Sequence, residues 1–261
     1  MEHALSADGT AIAYARSGAG PPLVLVHGIS ADHTRWAPVL PALAARRTVL
    51  ALERRGRGAS GDAPEYALAR EAEDVAAVAA TAGGPVDLLG HSYGGITALE
   101  AAIAGAPLRA LVLYEPWITA GPTLPPDLVP RLEALLTAGD RAGAATTFLV
   151  DAVRTPPAEL AQLRTLPTWP ARLTMAHLIP RELRAVQAYH FDPARCAGIQ
   201  APTLVMVGGD SPPFAHEAAA LLHAALPRSR VCVLPGQGHV AMNTAPDLFV
   251  REVLAFLDNC A

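Results

Sequence analysis

Short apolar runs recur along the first half of the chain, separated by stretches with helical periodicity. Residues 22–26 (Pro-Leu-Val-Leu-Val), 48–52 (Thr-Val-Leu-Ala-Leu), 86–89 (Val-Asp-Leu-Leu) and 108–114 (Leu-Arg-Ala-Leu-Val-Leu-Tyr) each read as a continuous, two-sided buried strand. Between them, residues 36–45, 69–80 and 93–104 repeat apolar positions at helical spacing. The second of these helices carries Glu71, Glu73 and Asp74 near its start, where negative charge complements the helix dipole. Ahead of the first run, Asp8-Gly9 marks a hairpin turn between two short edge strands. Strands buried on both faces and alternating with helices predict an α/β fold with a mostly parallel sheet flanked by helices.

The rhythm breaks after Tyr114. From Glu115 to about Gln200 the chain is punctuated by proline and helical in period, with apolar faces such as Leu128, Leu132, Leu135 and Leu136. The alternation then resumes, with strands at 203–207 and 231–234 and helices at 215–225 and 246–257. This predicts a core domain formed by residues 1–115 and 201–261, with residues 116–200 inserted as a helical cap. No internal repeat is evident.

Composition narrows the function classes. The 261 residues are 51% hydrophobic and 17% charged, against roughly 25% charged in an average globular protein, so a large core is expected. A net charge of −4 provides no basic footprint for nucleic acid. All 20 basic residues are arginine. Cys196, Cys232 and Cys260 are too scattered for a disulfide framework or a zinc site, and no phosphate-binding glycine loop or metal-spaced cluster occurs, so no metal and no cofactor are expected. The first residues lack the features of a signal peptide, and no apolar run reaches the roughly 18 residues of a membrane span, so a cytoplasmic location is expected.

In an open parallel sheet, functional groups collect beyond the carboxyl ends of the strands. After the 86–89 strand stands Gly90-His91-Ser92-Tyr93-Gly94-Gly95. A side chain on so sharp a strand-to-helix turn needs small neighbours two residues before and after it, and Gly90 and Gly94 meet that need. The turn presents the Ser92 hydroxyl at a helix N-terminus, where developing negative charge is favoured. After the 22–26 strand comes His27-Gly28-Ile29, whose Ile29 N–H, paired with that of Tyr93, would make an oxyanion hole. After the 231–234 strand, Pro235-Gly236-Gln237-Gly238-His239 places a loop histidine within reach of Ser92 as general base.

On these residues, together with the loop Glu53-Arg54-Arg55-Gly56-Arg57-Gly58-Ala59-Ser60, the chain resembles the α/β-hydrolase superfamily over essentially its whole length. The resemblance implies an eight-stranded sheet, a cap between strands six and seven, Ser92 as nucleophile and His239 as base. It leaves two candidates for the acid that orients the imidazole. The family often places it after strand seven as Gly-x-x-Asp, but here Gly208-Gly209-Asp210-Ser211 puts Ser211 at that position and Asp210 one residue early. Glu115, after strand six, stands where some members carry a glutamate. It ends an apolar strand, where an unpaired carboxylate is costly, and is favoured over Asp210, whose Asp-Ser-Pro context is ordinary turn chemistry.

Other residues carry weaker signals. Arg54, Arg55 and Arg57 read as a solvated loop. Trp36 reads as packed at a helix start, and His33 as a candidate cleft residue. Trp117, Trp169, His177 and Tyr189, with His190, fall in the expected cap and are candidates to line a substrate site. The expected activity is cleavage of an ester, thioester or lactone of a mainly apolar small molecule through an acyl-enzyme. Two alternatives stand beside it. One is the same triad used for C–C bond hydrolysis, perhydrolysis or a cyclisation step; the other is a ligand receptor on a hydrolase scaffold. An exposed apolar face of the cap could pair two chains as a homodimer.

Overall fold

The computed structural model describes residues 1–118, 124–166 and 168–260. The chain divides into two compact units. The first comprises Met1–Gly28, Asp32–Thr119 and Phe191–Ala261; the second comprises Ile29–Ala31 and Ala120–His190.

The first unit is built on eight strands: β1 (Glu2–Leu5), β2 (Ala11–Ser17), β3 (Pro22–Val26), β4 (Thr48–Leu52), β5 (Val86–His91), β6 (Leu108–Tyr114), β7 (Thr203–Gly208) and β8 (Ser229–Leu234). They form one sheet in the order β1-β2-β4-β3-β5-β6-β7-β8. β1 pairs antiparallel with β2, and β2 antiparallel with β4; every later pairing is parallel. This is the mostly parallel eight-stranded α/β-hydrolase architecture. The Asp8-Gly9 hairpin forms, with Gly9 at φ 83°, but of its two strands only β1 lies at a sheet edge; β2 is paired on both sides.

Burial explains the strand pattern. Every residue of β5 and β7 is buried, which fits continuous apolar runs in strands covered on both faces. Trp36, Val39, Leu43, Val112, Tyr114, Met206, Phe249, Val253 and Leu257 belong to one core cluster, which packs helix Pro246–Asp258 against the sheet. The helix expected over 36–45 is interrupted. A 3-10 turn spans His33–Trp36 and a short helix spans Leu40–Ala44, because Pro38 lacks the N–H that would carry one into the other.

The arginine loop after β4 departs from the expectation of a solvated surface. Arg54, Arg55 and Arg57 are all buried. Arg54 forms a two-bonded pair with Glu71, with Nη2 2.6 Å from Oε1. Arg55 clasps Asp74 with two bonds of 2.7 Å and reaches Asp8 at 2.9 Å. Glu71 and Asp74 on helix Leu68–Ala80 thus point inward as counter-charges, whereas Glu73 pairs with Arg70 nearer the surface. Burial raises the Asp74 pKa against the pull of Arg55, so removing the arginine leaves a carboxyl that must take up a proton to stay buried. Arg55→Leu is expected to destabilise the protein by about 3–5 kcal/mol in urea unfolding near neutral pH, and by less in acid. An unchanged midpoint would show that the pair carries no such role.

In the second unit the described residues contain helices and turns but no strand. Helices span Leu128–Thr137, Arg141–Thr147, Pro157–Thr165, Trp169–Thr174 and Ile179–Ala188. Leu128, Leu132, Phe148, Leu149, Ile179 and Leu183 are buried, while Leu135 and Leu136 are half-buried. The Asp140 side chain caps Arg141–Thr147 by accepting the Gly143 N–H at 2.7 Å. The Arg172 guanidinium donates to Ser30 Oγ within this unit. Among the described residues no helix is long and apolar enough to cross a membrane.

Candidate active site

The ends of β3, β5, β6, β7 and β8 in the first unit supply the candidate site. At the end of β5, Ser92 occupies φ 57°, ψ −122°, a conformation that L-residues rarely adopt, and helix Tyr93–Ile103 begins at the next residue. Two glycines make the turn possible. A Cβ at Gly94 would run into the carbonyl oxygens of Val26 and His27, and one at Gly90 would lie 2.8 Å from the Ala98 Cβ. Backbone bonds hold the turn. Ser92 N–H donates to the Tyr114 carbonyl at 3.0 Å, and Gly95 N–H donates to the Ser92 carbonyl at 2.9 Å. The end of β3 abuts the serine, since a Cβ on Gly28 would lie 2.9 Å from that of Ser92.

At the end of β6, Glu115 also has a positive φ, 42°. Among the described residues only four non-glycines do so, and Ser92 and Glu115 are two of them, a placement of strain typical of functional positions. Glu115 is 6% exposed. Its Oε2 lies 2.7 Å from His239 Nδ1. Its Oε1 accepts the Gly208 N–H at 2.7 Å and the Ser211 hydroxyl at 2.5 Å. Burial alone would raise the Glu115 pKa, but the bonds from His239, Ser211 and Gly208 outweigh it and hold the carboxyl below its ordinary value.

That direction fixes a pH signature. A carboxyl with a depressed folded pKa stabilises the fold above its unfolded pKa, and the contribution is lost as pH falls through the folded value. The stability gap between the protein and Glu115→Gln is therefore expected to be full above about pH 5 and to shrink below the unfolded glutamate value of about 4.3. Urea unfolding of both proteins across that range measures it, and a gap independent of pH would contradict it.

Asp210, the other candidate acid, is exposed. Its backbone N–H donates to the Gln237 carbonyl at 2.9 Å, and among the described residues no hydrogen bond or ion pair joins its side chain to His239. Ser211, next along, occupies the position where the family's strand-seven acid ordinarily stands and hydrogen-bonds Glu115 instead. Among the described residues no hydrogen bond joins Ser92 Oγ to His239, and such bonds commonly tighten only when substrate is bound.

Tyr93 is fully buried, with the Arg54 guanidinium 4.2 Å above its ring and its hydroxyl 2.8 Å from that of Tyr66. Ile29 is buried and groups with the second unit. His33 is half-buried. Its Nδ1 lies 2.6 Å from Glu53, and that bond, the largest influence, raises the imidazole pKa despite partial burial. Trp117 is half-buried in the first unit. Within the second unit, Trp169 and Tyr189 are half-buried at helix termini, and exposed His177 donates Nδ1–H to the Thr174 carbonyl at 3.0 Å. Among the described residues no three His, Cys, Asp or Glu side chains cluster as a metal site.

Sequence reasoning missed the groups that hold Glu115 and His239. Ser211 was visible only as a departure from pattern, and Tyr114 only as the last residue of an apolar strand. Tyr114 donates its hydroxyl to the Gly238 carbonyl, and His91 Nε2 lies 2.8 Å from the His239 carbonyl oxygen.

A profile of the alpha/beta hydrolase family matches residues 23–252. The fold superposes on the crystal structure of an alpha/beta hydrolase from Sphaerobacter thermophilus with a TM-score of 0.88 and 40% identity, covering 98% of this chain and 99% of that one. An esterase from Rhodococcus superposes with a TM-score of 0.81 and 27% identity, over 100% and 99% of the two chains. A RutD protein from Azorhizobium caulinodans, named for carbamate hydrolysis, is 29% identical over 93% of each chain.

Proposed function

The chain belongs to the alpha/beta hydrolase family and is a hydrolase of that type, and we propose that it cleaves an ester, thioester or lactone of a mainly apolar small molecule through an acyl-enzyme on Ser92. The observation that carries this reading is the Glu115–His239 bond of 2.7 Å, made by a buried carboxylate at the strand end next to that of Ser92.

The groups take these roles. Ser92 Oγ attacks the substrate carbonyl while His239 Nε2 accepts its proton. Glu115 holds Nδ1–H, which fixes the tautomer that leaves Nε2 able to accept and stabilises the imidazolium that forms. The N–H groups of Tyr93 and Ile29 receive the oxyanion of the tetrahedral intermediate. Collapse expels the alcohol, thiol or enol, which takes its proton from His239. Water, deprotonated by His239, then releases the acid and restores Ser92. Residues 116–200 act as the cap that selects the acyl group, with Trp117, Trp169, His177, Tyr189 and His33 as candidate lining residues.

A second reading, carbamate cleavage, is favoured by the likeness to the RutD protein. It uses the same steps, with a carbamoyl-enzyme in place of the acyl-enzyme. The test is intact-mass spectrometry after exposure to a fluorophosphonate and a panel of activated esters, a lactone and an aryl carbamate, with Ser92→Ala as control. An adduct on the unsubstituted protein alone supports the serine mechanism, and the panel member that turns over separates ester from carbamate. No adduct on folded protein rejects it.

A further inference from the structure

Two side chains without a role in the proposed chemistry fasten the main chain of His239. His91 and Tyr114 are register partners on the adjacent parallel strands β5 and β6. Each immediately precedes a member of the site, Ser92 and Glu115.

Tyr114 is fully buried. Its hydroxyl donates to the Gly238 carbonyl oxygen and accepts the Ala241 N–H at 3.0 Å. One oxygen thus bridges the loop from the residue before His239 to the second residue after it. His91, 2% exposed, bonds the carbonyl of His239 itself through Nε2 at 2.8 Å. A carbonyl can only accept, so the His91 proton sits on Nε2. Its Nδ1, left as an acceptor, is buried and has no hydrogen-bond partner among the described residues. The His91 ring centroid lies 4.6 Å from that of His239 and 5.2 Å from that of Tyr114. The backbone bonds that anchor this loop, Asp210 N–H to the Gln237 carbonyl and Asn243 N–H to the Val240 carbonyl, fall on either side of His239.

Both donors keep their protons. Burial, reinforced by the Glu115 charge, pushes the Tyr114 hydroxyl far above the usual phenol range. Burial, reinforced by the Arg35 charge, holds His91 well below the usual imidazole range, so it stays neutral.

We propose that Tyr114 and His91 are positioning residues that clamp the His239 main chain, so that the strand ends carrying Ser92 and Glu115 also set where the base sits. With Nδ1 fixed on Glu115, the remaining freedom of the imidazole is that of its backbone. A displacement of about 1 Å at a reacting group costs on the order of a hundredfold in rate. The kinetic consequence rests on the serine-hydrolase reading; the geometric one does not.

The test uses the full chain with Tyr114→Phe, His91→Leu and His91→Gln. Tyr114→Phe removes one oxygen and is expected to slow fluorophosphonate adduct formation roughly tenfold to a hundredfold, with KM for a turned-over ester unchanged. His91→Leu is expected to slow it comparably, and His91→Gln, which keeps an N–H donor near Nε2, to recover most of the rate. Proton NMR reads the clamp directly. The far-downfield resonance of the His239 Nδ1–H to Glu115 bond is expected in the unsubstituted protein, to vanish in Glu115→Gln, and to broaden in folded Tyr114→Phe. A sharp resonance and an unchanged rate in Tyr114→Phe would overturn the clamp. If Tyr114→Phe fails to fold, the His91 pair decides: equal rates in His91→Leu, His91→Gln and the unsubstituted protein overturn it, and so does equal loss in both variants. If the unsubstituted protein forms no adduct, the serine-hydrolase reading fails, while the resonance still tests the clamp.

Discussion

Ser92→Ala is expected to fold normally and to lose turnover by on the order of a millionfold, the scale seen when a triad nucleophile is removed. The substitution deletes one oxygen and keeps Cβ, so the contact at Gly28 and the bonds through Ser92 N–H and C=O persist. The strained φ of 57° remains, and alanine bears it no worse than serine. Stability should therefore change little, which separates a chemical loss from a structural one. Glu115 and His239 stay bonded to each other, yet they have no alkoxide to make. Whatever rate remains would come from binding and from N–H donors at the helix start. Steady-state kinetics on the ester found in the mass-spectrometric panel, with a thermal melt alongside, measure it. A variant that retains a tenth of the activity would move the chemistry away from an acyl-enzyme and toward the non-acyl alternatives.

The legible parts of the chain were those whose cause is local. The strands announced themselves because a strand covered on both faces must be apolar at every position, as β5 and β7 are. The elbow was legible because only glycine avoids the carbonyls of Val26 and His27 at position 94. Glu115 stood out because a carboxylate ending a buried strand demands a partner. What stayed hidden depends on distant chain. Arg55 looked like part of a solvated charge run because its counter-charges lie 19 and 47 residues away, at Asp74 and Asp8. Glu71 and Asp74 looked like dipole complements because nothing in a helix start says which way its acids face. Tyr114 and His91 act on a loop 124 and 148 residues downstream, so no spacing within a strand or a motif could reveal them. The aromatic residues from Trp169 to Tyr189 carry no such demand. A half-buried tryptophan at a helix start satisfies packing whatever the chemistry is.

Glu115→Gln is expected to lower kcat about ten-thousandfold, as when a triad carboxylate becomes an amide, whereas Asp210→Asn should leave it nearly unchanged. The glutamine is isosteric and can still meet Gly208 N–H and Ser211 through one end, so the fold around β6 and β7 should survive. Its other end must face His239 Nδ1. An amide nitrogen there donates, so it drives the imidazole to the tautomer with its proton on Nε2, which cannot accept from Ser92. The charge that would stabilise the imidazolium is also gone. Asp210 has an exposed carboxylate, and neutralising it touches neither bond. Ser211 sharpens the test, because its hydroxyl lies 2.5 Å from Glu115 Oε1 at the family's usual acid position. In Glu115→Ala the space beside His239 opens, and adding Ser211→Asp places a carboxylate on the β7 side of it. The double variant is expected to recover roughly tenfold or more of the activity lost in Glu115→Ala alone. That recovery would show that the base requires a buried carboxylate at one point in space and is indifferent to which strand supplies it. Loss in Asp210→Asn exceeding that in Glu115→Gln would instead assign the role to Asp210 and leave the Glu115–His239 bond as a structural pair.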